Sequence, residues 1–434
     1  MKNKVLIISH NPIGDIDNIG ITLRNLFSTF NKEELCQLFL RDQECNFDVC
    51  DNYYCFKETD ILKSNFKKGN QTGYIKYSNE ETTEDEVLLD NDKTNGFKNF
   101  IYEFGRKRTQ YIYSARNYIW RHSNWYSREL KEWLSLQRPT VIFFCAGDYS
   151  FLFEIVETIA KDLNIPVISY YVDEYYFVKE KNEKLLHFDS KDYKKCFKRI
   201  YNLSKVNFCI SESMSDVYSR EFGKNAEILM NSVIPNELNT SYKLGDNVNV
   251  RYFGNISYGR SDSLSKLSSI FAKLNKENKR QLNFEVYSGE TNNALIAEFK
   301  KNKDVNFMGC ISSEEVSKEI AKSDILVVTE SFDKDNRETV KHSVSTKIPD
   351  SLNSGKLILA LGPNDVEAIS YLKRNNAALV LDDLDKAESI CAKLYGDIDV
   401  SAIIANANAL INKNHDKKLN DKILRNALYE NIRN

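Results

Sequence analysis

Short apolar runs alternate with amphipathic stretches along almost the whole chain, and this alternation limits the folds open to it. Runs at 5–9, 37–40, 141–145, 167–171 and 206–210 read as strands, with helices at 22–30, 149–163 and 213–222. The pattern repeats in the second half. Strands are expected at 249–253, 283–287, 305–308, 325–329, 357–361 and 378–381. Helices are expected at 263–274, 291–300, 313–321, 350–353, 365–373 and 384–394. Strand-helix alternation points to α/β architecture with parallel sheets. A chain of 434 residues exceeds one typical core, so two α/β domains in tandem are expected. The join falls in the polar stretch 232–247, where Pro235, Asn236 and Gly245 are turn residues. The expected division is 1–235 and 236–405, followed by a helical tail at 406–434.

Composition excludes several classes. Sixty basic residues against 62 acidic ones leave a net charge of −2, so no global field favours nucleic acid. Nine cysteines without CxxC or CxxH spacing argue for reduced thiols in a cytoplasmic setting. The opening residues have too short an apolar run for a signal peptide and read as a first strand. No apolar run reaches the roughly 18 residues needed to cross a bilayer, so no membrane span is expected.

The stretch 41–138 breaks the rhythm and reads as an insertion. Residues 79–86 are acidic and suit a solvated loop. Residues 97–138 hold Trp120, Trp125 and Trp133 among Arg106, Lys107, Arg108, Arg116, Arg121 and Arg128. Two readings stand. The segment is either a helical cover on the first sheet, aromatics inward and cations outward, or a peripheral contact with an anionic membrane or lipid-linked acceptor.

The most motif-like stretch is Val344-Ser345-Thr346-Lys347-Ile348-Pro349-Asp350-Ser351-Leu352-Asn353-Ser354-Gly355-Lys356, followed by the apolar run 357–361 and Gly362-Pro363. It reads as a polar loop entering a short helix. Pro349 fits the first helical turn and Gly355 the position past the helix end. The free amides of the helix start, with Ser345, Thr346 and Lys347 beside them, suit a phosphate. Asp350 lies within reach of a sugar hydroxyl. The segment resembles the donor-nucleotide motif of two-domain GT-B glycosyltransferases, and is similar to glycosyltransferase family 4 of bacterial surface-polysaccharide biosynthesis.

That resemblance implies two Rossmann-like doubly wound domains facing across a cleft, with the last helix crossing back to the first domain. It implies a nucleotide-diphosphate sugar as donor and a hydroxyl of a lipid-linked or growing surface glycan (capsule or lipopolysaccharide) as acceptor. In the family the second of two spaced acids binds the nucleotide ribose, and Asp350, five residues before Gly355, matches it. Eight positions earlier, where the family has a sugar-contacting glutamate, this chain has His342. Either His342 replaces it, or Glu330 or Glu338 supplies the contact. By the same resemblance Cys310 and Ile311 contact the base.

Strand-end loops supply the remaining candidates. Gly254, Asn255 and Arg260 follow the run ending at Phe253, and Arg260 suits a diphosphate. Tyr287 closes the next strand. In the first half Gly20 stands at a helix start, and Asp148 and Asp173 end two strands. Those two acids either activate an acceptor hydroxyl or cap helices. Asp-x-Asp occurs at 15–17, 333–335 and 397–399, too often in so Asp-rich a chain to mark a metal site. An Arg260/Lys347 pair with helix amides suits a departing diphosphate, so no metal or other cofactor is expected. Gly355-Lys356 lacks the P-loop glycine at 350. Rival readings are a nucleotide-sugar 2-epimerase of the same fold and a non-catalytic glycan-binding or scaffold protein.

Overall fold

The computed structural model describes residues 3–65, 71–78, 110–177, 187–236, 243–396 and 398–430. The acidic stretch 79–86 and the cations Arg106, Lys107 and Arg108 lie outside them. The chain divides into two compact units, Met1–Leu229 with Asp421–Asn434, and Met230–Asn420.

Among the described residues the first unit holds a sheet of β1 (Val5–Ser9), β2 (Leu35–Phe39), β3 (Tyr53–Phe56), β4 (Gly73–Lys76), β5 (Val141–Cys145), β6 (Val167–Tyr171), β7 (Val206–Cys209) and β8 (Glu227–Ile228). The order is β4-β3-β2-β1-β5-β6-β7-β8, parallel throughout except for the antiparallel edge strand β4. Val5 pairs with Leu35 on one side and Val141 on the other. Every residue of β1, β5 and β6 is buried. A parallel sheet covered on both faces requires such continuous apolar strands.

The helix Ser150–Leu163 buries Phe151, Leu152, Ile155, Val156 and Ile159 as one stripe and ends at Asn164 in the left-handed region. The helix His187–Leu203, not foreseen in the sequence, buries Tyr193, Cys196, Phe197, Ile200 and Tyr201. Strands β3 and β4, inside the stretch expected to be an insertion, instead extend the sheet. The helix Lys417–Tyr429 contributes Leu424, Ala427 and Leu428 to this core.

The described part of the aromatic-basic segment forms helices Gln110–His122 and Arg128–Gln137. Trp120 and Trp133 are buried and Trp125 packs against the core. Arg116 pairs with Glu58, Arg121 with Glu154 and Asp192, and Arg128 with Glu132. These arginines therefore meet protein carboxylates, the arrangement expected of a cover on the sheet. Among the described residues no helix is long and apolar enough to cross a membrane.

The second unit carries β9 (Asn247–Phe253), β10 (Gln281–Tyr287), β11 (Asn306–Gly309), β12 (Ile325–Thr329), β13 (Leu357–Leu361) and β14 (Leu379–Leu381), all parallel, in the order β11-β10-β9-β12-β13-β14. Alternate side chains feed two cores. Leu357, Leu359 and Leu361 join one, while Ile358 and Ala360 join the other. The helix Ser313–Lys322 starts with a capping box between Ser312 and Glu315. The segment from Met230 belongs to this unit through His415, whose Nδ1 donates to the Asn231 carbonyl (2.7 Å), and Asn420, whose amide donates to the Met230 carbonyl (2.9 Å).

Candidate functional site

In an open parallel sheet, ligands bind where the strand order reverses, outside the carboxyl ends of the strands. In the second sheet the reversal lies between β9 and β12. Arg260 opens the helix Arg260–Glu277, and its Nε and Nη2 donate to Oε2 of Glu330 at 3.0 and 2.8 Å. Glu330 is the first residue past β12 and is buried. The Glu330 amide donates to the Leu361 carbonyl (2.9 Å), and the Glu330 carbonyl accepts from Ser263 Oγ (3.0 Å). Burial pushes the Glu330 carboxyl above the ordinary range while Arg260 opposes the shift. Among the described residues no hydrogen bond engages Nη1 of Arg260.

Lys347 donates from Nζ to the carbonyl of Phe253, the last residue of β9 (3.2 Å). The residue as a whole is exposed, with its ammonium held against that carbonyl. Burial and then Arg260 lower its pKa, and Asp350 acts in the opposite sense. Two guanidinium- and ammonium-bearing side chains and two carboxylates thus gather beside the reversal point, although Glu330 already neutralises one cation. The sequence placed Arg260 here and did not foresee its partner.

The loop from Gly254 to Arg260 is braced throughout. The Gly254 amide donates to the Tyr287 carbonyl (3.0 Å), and a Cβ on Gly254 would lie 2.4 Å from the Tyr252 hydroxyl. That hydroxyl donates to the Asn255 carbonyl (2.7 Å), and Asn255 Oδ1 accepts from the Ser257 amide (2.6 Å). Ser257 Oγ donates to the Glu290 carboxylate. This bond, with those from the amides of Asn292 and Thr291, holds Glu290 below the usual carboxylate range against its desolvation. Tyr258 and Gly259 both have positive φ, +56° and +70°.

The other donor-side candidates divide. Ser345 accepts the Lys347 amide on Oγ (3.4 Å), Thr346 is half-buried, and Asp350 is exposed on the helix Ile348–Leu352, with Pro349 in its first turn as expected. His342 is half-buried in the turn before this loop. Cys310 is exposed and Ile311 half-buried after β11, the sheet's edge strand, away from the reversal. Tyr287 is buried, its ring stacked on Phe253 (5.0 Å) and its hydroxyl donating to Glu285 (3.0 Å). It is thus engaged inside the fold.

In the first sheet the reversal lies between β1 and β5. Asp17 caps the helix Asn18–Phe27, accepting from the Gly20 amide (2.8 Å) and from Asn11 Nδ2 (2.6 Å). The Gly20 amide is therefore occupied within the loop. A Cβ there would lie 2.8 Å from the Pro12 carbonyl oxygen. Beyond β5 and β6, Asp148 and Asp173 meet around one phenol. The Tyr175 hydroxyl donates to Asp173 (3.1 Å), and burial, then Asp173 and Asp148, push its pKa far up. His10, just past β1, stacks on Tyr149 (5.9 Å between centroids), and the Arg116 guanidinium lies 4.1 Å from the same ring centroid. The sequence reading missed His10, Tyr149 and Tyr175. Their signal was position alone, shortly past the ends of β1, β5 and β6.

The Asp-x-Asp pairs have local roles. Asp15 pairs with Arg24, Asp17 and Asp333 cap helices, Asp399 accepts from the Ser401 amide, and Asp397 lies outside the described residues. Glu154, Asp192 and Cys196 cluster in the first unit, and Arg121 donates to both carboxylates.

No protein-family profile matches the chain, and no curated protein matches it in sequence. Its fold is nevertheless that of solved GT-B glycosyltransferases. It superimposes on the E. coli trehalose-6-phosphate enzyme bound with UDP-2-fluoro glucose with a TM-score of 0.58, at 9% identity over 98% of this chain and 99% of that one. A UDP-forming α,α-trehalose-phosphate synthase from Burkholderia vietnamiensis gives 0.59 at 8% identity, covering 99% and 100%. WaaG, a glycosyltransferase involved in lipopolysaccharide biosynthesis, gives 0.56 at 10% identity, covering 97% and 98%.

Proposed function

We propose that this two-domain GT-B chain is a glycosyltransferase that moves a sugar from a nucleotide-diphosphate donor to a hydroxyl of a lipid-linked or growing surface glycan. The observation that carries the reading is the meeting of Arg260, Glu330, Lys347 and Asp350 where the second sheet reverses its strand order. Lys347 and the outer nitrogen of Arg260 meet the diphosphate, and Glu330 fixes the guanidinium plane. Asp350 takes the ribose hydroxyls. His342, with Ser345 and Thr346, lines the donor loop, and Cys310 and Ile311 remain the proposed base contacts.

Protein cations meet the leaving diphosphate, so turnover proceeds without a divalent metal. On the first unit Asp173, with Asp148 as second choice, receives or orients the acceptor hydroxyl. The lipid-linked acceptor and a place at the inner face of the membrane rest on the cations Arg106, Lys107 and Arg108 of the sequence, since Arg116, Arg121 and Arg128 pair with protein carboxylates. A cytoplasmic setting rests on nine free cysteines, eight of them buried.

A panel of UDP-, GDP- and ADP-sugars, scored for release of the nucleoside diphosphate, tests the reading. UDP-sugars come first, because two similar structures are named for UDP compounds. Binding without release under any condition would favour a glycan-binding protein. Interconversion of the free nucleotide sugar would favour an epimerase.

A further inference from the structure

Tyr258 stands out at the candidate donor site. The residue is 49% exposed, and no hydrogen bond or ring contact engages its side chain among the described residues. Yet its backbone sits at φ +56°, a region that disfavours bulky side chains and favours glycine or asparagine. The fold therefore carries a strained tyrosine whose side chain makes no compensating contact. The strain is imposed by its neighbours. Ser257 is tied to Asn255 and to Glu290, and Gly259 is in the left-handed region with no room for a Cβ, which would lie 2.3 Å from Ser331 Oγ. Arg260 is held on Glu330. The loop fixes the backbone on both sides of Tyr258, two residues before Arg260. Strained conformations held by rigid surroundings cluster at ligand sites.

We propose that Tyr258 is a ligand-contacting residue whose hydroxyl donates to a phosphate oxygen of the donor nucleotide alongside Arg260. The proposal rests on the donor-site reading and adds a residue that neither the motif nor the resemblance supplied. The chemistry is that of a diphosphate: a neutral O–H donor beside a cation suits an anionic oxygen. A tyrosine kept only by chance at this turn would make no such contact.

Calorimetry with nucleoside diphosphates and with inorganic pyrophosphate separates the possibilities, using the full chain, Tyr258→Phe and Tyr258→Gly. Glycine relieves the positive φ, so this variant is expected to melt at or above the wild-type temperature. The expected result is a loss of about tenfold in affinity for both ligands in both variants, about 1.4 kcal/mol. Pyrophosphate bound equally by wild type and both variants overturns the proposal, and so does a loss confined to the nucleotide, which would mean base stacking. A wild type that binds no nucleoside diphosphate overturns the donor-site reading together with this one. Wild-type binding shared by the variants overturns this one alone.

Discussion

At the scale of single residues, the donor edge is a small electrostatic balance. Arg260 is neutralised by Glu330, so the net attraction for a diphosphate falls mainly on Lys347, whose ammonium is already partly desolvated. Lys347→Ala and Asp350→Ala are each expected to weaken nucleotide affinity by about 1.5–3 kcal/mol, as for loss of a charged hydrogen-bond partner. Titration calorimetry on folded variants checks this, and unchanged affinity in both would remove the site. On the first unit, Asp173→Asn is expected to leave nucleotide affinity intact and lower turnover about tenfold or more, about 1.4 kcal/mol of barrier. If neither this variant nor Asp148→Asn slows turnover, the acceptor-side assignment fails and the donor side stands.

His415 belongs to the same scale but bears on stability. Burial lowers its pKa to about 4, with the bond to the Asn231 carbonyl opposing. Its Nε2 accepts from the Tyr371 hydroxyl (2.8 Å). The neutral ring is thus the native form. Above the unfolded value near 6.5 neither state binds the proton, and the group adds no pH dependence. As pH falls between 6.5 and 4 the unfolded chain takes up a proton that the folded chain refuses, and stability is lost, by about 2 kcal/mol at pH 5. Denaturant melts of wild type and His415→Gln between pH 7 and 5 should show the slope flattened in the variant. Parallel slopes would mean that other groups dominate.

At the scale of elements, five strands buried on both faces were legible to the residue, whereas β2 and β3, equally buried, were trimmed and missed. The runs at 5–9, 141–145, 167–171, 325–329 and 357–361 match β1, β5, β6, β12 and β13, because a doubly covered parallel strand has no polar face to blur its ends. Elements with one wet face were missed or trimmed. The helix His187–Leu203 hides its stripe of Tyr193, Cys196, Phe197, Ile200 and Tyr201 among lysines and aspartates. The helix Asn18–Phe27 begins earlier than the apolar pattern suggests, because Asp17 caps it. Strands β3 and β4 were submerged in a stretch read as an insertion.

The site was half legible for a related reason. Residue types at strand ends can be read along the chain, but the pairing of Arg260 with Glu330 joins two separate loops, and only the β9–β12 neighbourhood brings them together. Gly362 is the element-scale test of that pairing. Its φ is +157°, and a Cβ would lie 2.9 Å from Ile369 Cγ1 and 3.1 Å from Glu330 Cβ. Gly362→Ala is expected to destabilise the fold by about 1–3 kcal/mol and to weaken nucleotide binding by shifting Glu330. Thermal melts and calorimetry together check both effects.

At the scale of the whole molecule, the first sheet packs into one core and the second into two, and the chain passes from the first unit to the second and back. The return has a consequence for how the protein is made. Leu424, Ala427 and Leu428, which complete the first core, leave the ribosome only after the whole of Met230–Asn420 has been synthesised. The amino-terminal unit, though begun first, is therefore finished last, and until then its apolar surface waits for its last helix. A chain stopped after Asn420 lacks three buried apolar side chains, including two leucines worth about 1.5–3 kcal/mol each. Pulse proteolysis of that truncated chain should find the first unit cleaved and the second protected. Birth order and folding order would then run in opposite directions along one polypeptide, with the second unit the earlier to reach its native state.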